Sequence, residues 1–154
     1  PTYVYAKYYR NLFKKNNKKY LSYEIVEVRL KKKTATVKIK VTQPDYYVAF
    51  THAYYDYLNW YEDYYYMNNK TPLDSLAGNR LNRYVKQSIK KYGLEQKKRT
   101  VKFILQKTSR GWKIKKANNR IKDIAAMRNY QAYEEAQFCW ENNEDIDECI
   151  EIFK

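Results

Sequence analysis

The sequence predicts an α+β fold: a curved antiparallel sheet of two hairpins packed on helices, with a C-terminal helical segment after it. Three observations carry that expectation. Residues 34–42 alternate strictly, with Ala35, Val37, Ile39 and Val41 set against Thr36, Lys38, Lys40 and Thr42, the period of a strand with one buried face. Gln43-Pro44-Asp45 should end that strand, since Pro cannot donate to a ladder and Asp is a strong helix N-cap. The stretch behind it, about 46–67, has no Gly or Pro and holds nine of the nineteen tyrosines. Finally, Val101, Phe103 and Leu105 alternate with Lys102 and Ile104 over 100–106. Thr108-Ser109-Arg110-Gly111 then turns the chain, and Trp112-Lys113-Ile114-Lys115 pairs back.

In chain order, residues 3–15 place Tyr5, Tyr8, Tyr9, Leu12 and Phe13 at helical spacing among basic residues, and Asn16-Asn17 should end that helix. Residues 23–30 read as a strand in which Val26, Val28 and Leu30 alternate with Glu27 and Arg29. Lys31-Lys32-Lys33 then connects it to the antiparallel strand 34–42. Thr71-Pro72-Leu73-Asp74 signals a helix start, with Thr71 as N-cap. Leu73, Leu76, Leu81, Tyr84, Val85 and Ile89 continue that helix, Gly78 marks a kink or break in it, and Gly93 closes it. From Ile121 a helical pattern runs through Tyr130 and Tyr133 to Trp140, and Asn142-Asn143 should interrupt it before Ile146 to Phe153. The organisation expected is an α+β domain over 1–117 and an acidic helical segment, 118–154, packed on it.

The helix at 46–67 has more aromatic residues than one core face can use. Tyr46, Phe50, Ala53, Tyr57, Trp60, Tyr61 and Tyr64 form one stripe, and Tyr47, Tyr54, Leu58 and Tyr65 another. Either one stripe packs on the sheet and the other on a helix, or part of them lines a groove for a partner; Tyr47, Tyr54, Tyr57, Trp60, Tyr61 and Tyr65 are the groove candidates. Tyrosine suits both, having an apolar ring and a hydroxyl that seeks a partner or water. Phe50 and Trp112 are expected to be buried in facing layers.

The net charge is +14, unevenly spread. Residues 1–43 hold twelve basic against two acidic side chains and residues 94–117 nine against one, whereas 118–154 hold four against nine. The strands are therefore basic, which favours an anionic partner or docking of the acidic tail on the sheet. Lys38, Lys40, Lys102, Lys113 and Lys115 would share one sheet face, with Lys31 to Lys33, Lys97 to Arg99 and Lys107 at strand ends. Such lysines also keep sheets soluble. Lys predominates over Arg and the aromatics sit on helices, so any nucleic-acid binding through this face should be weak and independent of base sequence.

Other chemistries lack their residues. His52 is the one histidine, with no cysteine near it in sequence, so no metal site is expected. Leu76-Ala77-Gly78-Asn79-Arg80 is no phosphate loop, and no catalytic constellation or cofactor motif appears. Asp56, Glu62 and Asp63 read as a solvated helix face. No run of 18 apolar residues exists, so no transmembrane segment is expected. Cys139 and Cys149 would lie ~15 Å apart in one unbroken helix, beyond the ~7 Å that a disulfide spans. A break at Asn142-Asn143 would let them bond, implying an oxidising compartment; two free buried thiols are the alternative.

ATVKIKVTQPD, a strand that leaves through Pro-Asp into a helix, and VKFILQKTSRGWKIKKA, a hairpin ending in Trp-Lys-Ile, together resemble the cystatin-like, nuclear-transport-factor-like cone-fold domains of bacterial extracytoplasmic lipoproteins. The similarity covers roughly 20–117. It implies a curved sheet wrapped around a helix with a concave pocket, and carries over no catalytic residue. Some cone-fold enzymes set an Asp base beside a Tyr donor, an arrangement that Asp56 and Tyr57 would supply. The reading is a non-catalytic binding or assembly module without cofactor. It is expected outside the cytoplasm, anchored through a segment ahead of Pro1, and engages a protein or an anionic surface polymer. The alternatives are a cytoplasmic nucleic-acid-binding protein using the basic sheet face and a small-molecule enzyme with a cone pocket.

Overall fold

The computed structural model describes residues 11, 12, 14–115 and 129–153. Among these, five helices and four strands follow in the order α1 (14–20), β1 (Ser22–Lys31), β2 (Thr34–Asp45), α2 (Tyr47–Asn68), α3 (Asp74–Tyr92), β3 (Glu95–Thr108), β4 (Gly111–Ile114), α4 (Asn129–Glu141) and α5 (Ile146–Phe153). The strands make one antiparallel sheet in the order β1-β2-β3-β4: two hairpins joined through β2 and β3, with α2 and α3 between them in sequence. The start of the expected N-terminal helix, the stretch 118–128 and the boundary at 117/118 lie outside the described residues.

Several boundaries differ from the sequence reading. Asn16-Asn17 does not end α1; the helix reaches residue 20, and the Leu21 amide donates to the Asn17 carbonyl at 2.8 Å. Lys18 and Lys19 fall at its C-terminal end, where the helix dipole favours cations. Pro44 does not stop β2, which continues to Asp45 opposite Glu95. The first hairpin ends where Ser22 meets Thr42, so beyond that pair β2 has a neighbour on one side only, and a proline is tolerated at such an edge. β3 likewise begins at Glu95 and not Thr100: the polar Gln96-Lys97-Lys98-Arg99 hides the alternation, and its partners are Val41 to Pro44. Thr71 does not cap α3; the residue before a proline is pushed to extended geometry, Leu73 is still extended at ψ 146°, and the helix starts at Asp74. Gly78 does not break α3, which runs on through it to Tyr92, and it is buried beside Ala77.

Other local expectations correspond to what is seen. The Tyr47 amide donates to Asp45 Oδ1 at 3.0 Å, so Asp45 satisfies the first turn of α2 from just outside it. Gly93 ends α3 at φ 74°, with its amide on the Ile89 carbonyl. Asn143 takes the left-handed conformation, φ 53°, that separates α4 from α5.

The buried apolar cluster is drawn from the helices and Tyr46, with no strand residue in it: Tyr46, Tyr47, Phe50, Ala53, Tyr54, Tyr57, Ala77, Leu81, Val85, Ala132, Ala136 and Ile150. Helix α2 is its axis, with α3 along one side and α4 along another. Alanines at 49, 53, 77, 132 and 136 are fully or almost fully buried and let the helices approach while the tyrosine rings fill the volume between them. Tyr46 stacks on Phe50 with centroids 5.2 Å apart, and Tyr54 meets Tyr133 edge-on at 5.4 Å. The sheet is less completely covered. Ala35, Val41 and Val101 are buried on its apolar face, but Tyr23, Val28 and Leu30 of β1 and Ile114 of β4 are exposed. Trp112, expected in the core, is 43% exposed, because β4 is a four-residue edge strand.

Candidate functional site

The pairing register fixes which side chains share the sheet face opposite the apolar one. Across the strands, Glu24, Lys40 and Thr100 form one row, and Glu27, Lys38 and Lys102 the next. Arg29, Thr36 and Ile104 follow, joined by Lys115, whose amide donates to the Ile104 carbonyl at 2.8 Å. Lys31, Thr34, Gln106 and Lys113 make a further row, and Ser22, Thr42 and Lys98 close the other end. Lys38, Lys40, Lys102, Lys113 and Lys115 therefore lie on one face, the first three at its centre and the last two along the β4 edge. Arg29, Lys98 and the threonines at 36, 42 and 100 belong to this face but were not singled out from sequence. Lys98, expected at a strand end, lies inside β3 because that strand begins at Glu95. Lys97 points to the other side, where its Nζ lies 3.3 Å from Asp45 Oδ2.

Lys38 stands directly opposite Lys102. Opposed like charges destabilise a cross-strand pair by roughly 0.2–1 kcal/mol. On the other flank of Lys38, Glu27 is held in an ion pair by Arg29 of its own strand. Among the described residues, Lys38, Lys40, Lys98 and Lys102 make no ion pair. Two shallow depressions lie on this face. One, of about 530 Å³, is lined by Glu27, Arg29, Thr36, Lys38, Thr100 and Lys102. The other, of about 510 Å³, is lined by Ser22, Glu24, Lys40, Thr42, Lys98 and Thr100. Each presents ammonium groups around threonine hydroxyls, with carboxylates along the β1 rim only. Such an arrangement can hold an anion by charge and by hydroxyl donation.

The aromatic groove candidates do not form one surface. Tyr47 and Tyr54 are fully buried against α4 and Tyr57 nearly so. The Tyr47 hydroxyl donates to Glu135 Oε2, while Gln131 Nε2 donates to Glu135 Oε1 at 2.7 Å. Partial burial pushes the Glu135 carboxyl up to about 7. Trp60 and Tyr61 are half-buried, and the Arg80 guanidinium lies 5.0 Å from the Trp60 ring. Tyr65 is exposed at the far end of the helix. With α3 and α4 on both flanks of α2, Tyr47, Tyr54 and Tyr57 fill the core, while Trp60 and Tyr61 pack at its margin and Tyr65 lies outside it.

His52 is buried between helices. Its ring stacks on Tyr92 at 3.9 Å, and its Nε2 lies 3.3 Å from Asp147 Oδ1. Burial lowers its pKa, against the raising effect of Asp147. Asp147 is brought there by α5, and Cys139 and Cys149, both fully buried, are joined by a disulfide that ties α5 to α4. Asp56, Glu62 and Asp63 are exposed. Among the described residues no His, Cys, Asp and Glu side chains gather as metal ligands, and no helix is long and apolar enough to cross a membrane.

No protein-family model matches this chain, and no curated protein matches it. Among solved structures it is similar to a Bacillus subtilis chain described as a putative lipoprotein (ycdA), at 16% identity and a TM-score of 0.39, over 70% of this chain and 31% of that one. This chain thus spans under a third of that protein's length, and the likeness is too low to assign a fold family or a function.

Proposed function

We propose that this chain is a non-catalytic binding module that works outside the cytoplasm and holds a linear anionic polymer on the basic face of its sheet. The observation that carries the proposal is the opposed Lys38–Lys102 pair in a depression of about 530 Å³. The two ammonium groups repel each other until an anion lies between them, so binding turns an unfavourable contact into a favourable one. Successive rows stand about 6.8 Å apart, two residues along a strand. A polymer charged at intervals of several ångströms would therefore meet Lys40, Lys98 or Arg29 beside the central pair. The Cys139–Cys149 bond supports an oxidising compartment. The chain's one histidine lines neither depression and is engaged by Tyr92 and Asp147.

Titration with linear polyphosphate and with a single-stranded oligonucleotide of matched charge tests this reading. Neutralising about six anionic groups makes affinity fall on the order of 10³-fold between 50 and 200 mM salt. Replacing Lys38, Lys40, Lys102 and Lys113 with Glu should abolish binding of both and leave the far-ultraviolet circular dichroism unchanged. Salt-independent binding, or binding that survives the fourfold replacement, refutes the proposal. Strong preference for one base sequence would put the nucleic-acid reading in its place.

A further inference from the structure

The seam between β2 and β3 carries cations and hydroxyls in a regular order. Along it Thr42 faces Lys98, Lys40 faces Thr100, Lys38 faces Lys102, and Thr36 follows beside Ile104. The four lysines are exposed and the three threonines half-buried. Thr100 lines both depressions, so the two form one track. Among the described residues, the hydroxyls of Thr36, Thr42 and Thr100 make no hydrogen bond within the chain. Those of Thr34, Thr51 and Thr108 donate to the carbonyls of Lys31, Tyr47 and Gly111 at 2.9, 2.8 and 2.8 Å. Building on the anion-binding reading above, we propose that the three free hydroxyls bond hydroxyls of the ligand. The polymer held on this face is then a polyol phosphate, in which single phosphodiesters are joined by short hydroxylated carbon chains such as glycerol.

Bond counting sets the spacing. Two residues along a strand, six backbone bonds, advance one row of about 6.8 Å. A glycerol phosphodiester also has six bonds from one phosphorus to the next, so its extended repeat spans about 7 Å. Laid along the seam, such a chain brings one phosphate to each row that holds a lysine. Its hydroxyl falls between two phosphates, facing the threonines that stand across the seam. Lysine stems can swing, so the rows set the number of cations per length of polymer more than the place of each ammonium. A threonine hydroxyl, one carbon from the backbone, is held to its row and makes the finer distinction. Polyphosphate satisfies the lysines but offers the threonines no hydroxyl. A single-stranded nucleic acid has the same six-bond repeat but adds a base to each one, and stacking needs aromatic rings. The rows of this face hold none.

Two synthetic oligomers of equal length and charge, glycerol phosphate and unbranched propanediol phosphate, differ only in the ligand hydroxyl. Calorimetric titration of the full chain should show both bound and the glycerol oligomer about tenfold tighter, since each net hydrogen bond contributes a few-fold. The phosphates are the same in both, so the two affinities should fall in parallel as salt rises. Threonine is also a good strand former, and valine keeps its branched shape without the hydroxyl. Thr36→Val with Thr42→Val and Thr100→Val should therefore erase the preference and leave propanediol phosphate binding unchanged. Should that variant fail to fold, the preference of the unaltered chain still decides. Equal affinity of the unaltered chain for both oligomers overturns the proposal and leaves an anion site standing, as does a preference that survives the valine replacements. Tighter binding of a polyuronate of equal charge also overturns it, by making hydroxylated rings the better fit. Binding of neither oligomer overturns the anion-site reading and this proposal together.

Discussion

Helix α2 and strand β1 are both rich in large apolar side chains, and the molecule treats them in opposite ways. In α2, Tyr47, Phe50 and Tyr54 are fully buried; in β1, Tyr23 and Leu30 are almost three-quarters exposed. The cause is what stands beside each. α2 runs between α3 and α4, whose alanines let backbones close on it so that its rings fill the remaining volume. β1 is an edge, with a strand on one side and only partial cover over its apolar face. An aromatic stripe is therefore evidence of a core when its helix has two neighbours, and a less crowded apolar row at an edge is the better candidate for an interface.

That contrast is most exposed to test by truncation. Phe50→Ala removes a ring from a fully buried site and should cost ~3–5 kcal/mol. Trp112→Ala, in a side chain 43% exposed, should cost under about 1 kcal/mol. Urea denaturation of the two variants decides the matter. Equal losses would mean that the sheet's apolar face is as well packed as the helices, and the distinction would fail.

The disulfide sharpens the comparison from the helical side. It closes a loop over a sequence separation of 10 and ties α5 to α4, both outside the sheet. In the loop-closure account such a bond stabilises by about 2–3 kcal/mol. Cys139→Ser with Cys149→Ser should lower the unfolding midpoint accordingly and release Asp147 from His52. Hydrogen exchange in β2 and β3 should change only as far as global stability does. A selective loss of protection in the sheet would show that the two regions stabilise each other more than their packing suggests.

Much of this organisation was legible in the sequence, and the parts that were not share a physical origin. Alternation at Ala35 to Val41 and at Val101 to Leu105 identified the inner strands, and Gly93 and Asn142-Asn143 marked breaks where they occur. Wherever the outcome depended on a neighbour remote in sequence, local pattern misled. Pro44 sits in a strand because β1 ends opposite Thr42; Trp112 is exposed because β4 stops after four residues. Tyr47, Tyr54 and Tyr57 look alike as groove or as core until α3 and α4 are in place. The basic face was visible as a tendency, but the opposition of Lys38 to Lys102 is a property of register. Which stripe of a helix is covered, and which lysine meets which, are facts about pairs.

Acid–base behaviour offers a smaller effect, again confined to the helices. Partial burial raises Glu135 from 4.5 to about 7, so in that window the folded state binds more protons than the unfolded one. Stability contributed by this group must then fall as pH rises from 4.5 towards 7. Discounted for its partial exposure, the change is on the order of 1 kcal/mol. His52, lowered by burial, acts in the opposite sense: the unfolded state binds the proton more readily below 6.5, and stability falls as pH falls. Denaturation midpoints between pH 5 and 8 should therefore lose a downward trend in Glu135→Gln. An unchanged trend would place the responsible group elsewhere.

The smallest effect bears most directly on function. Lys102→Glu converts an opposed pair of cations into an attractive pair with Lys38, and should raise stability by about 0.2–1 kcal/mol. Lys38→Glu also pairs with Lys102 but meets Glu27 on its other side, so its net effect should be close to zero. Both replacements remove a cation from the centre of the depression, and both should weaken polyphosphate binding by similar amounts. A residue whose replacement stabilises the fold while weakening binding is held against the interest of stability, as expected of a functional surface. If Lys102→Glu destabilises, or stabilises without loss of binding, the lysine face is a solubility device like those that guard many sheets. The case for an anion site would then rest on nothing else in the sheet.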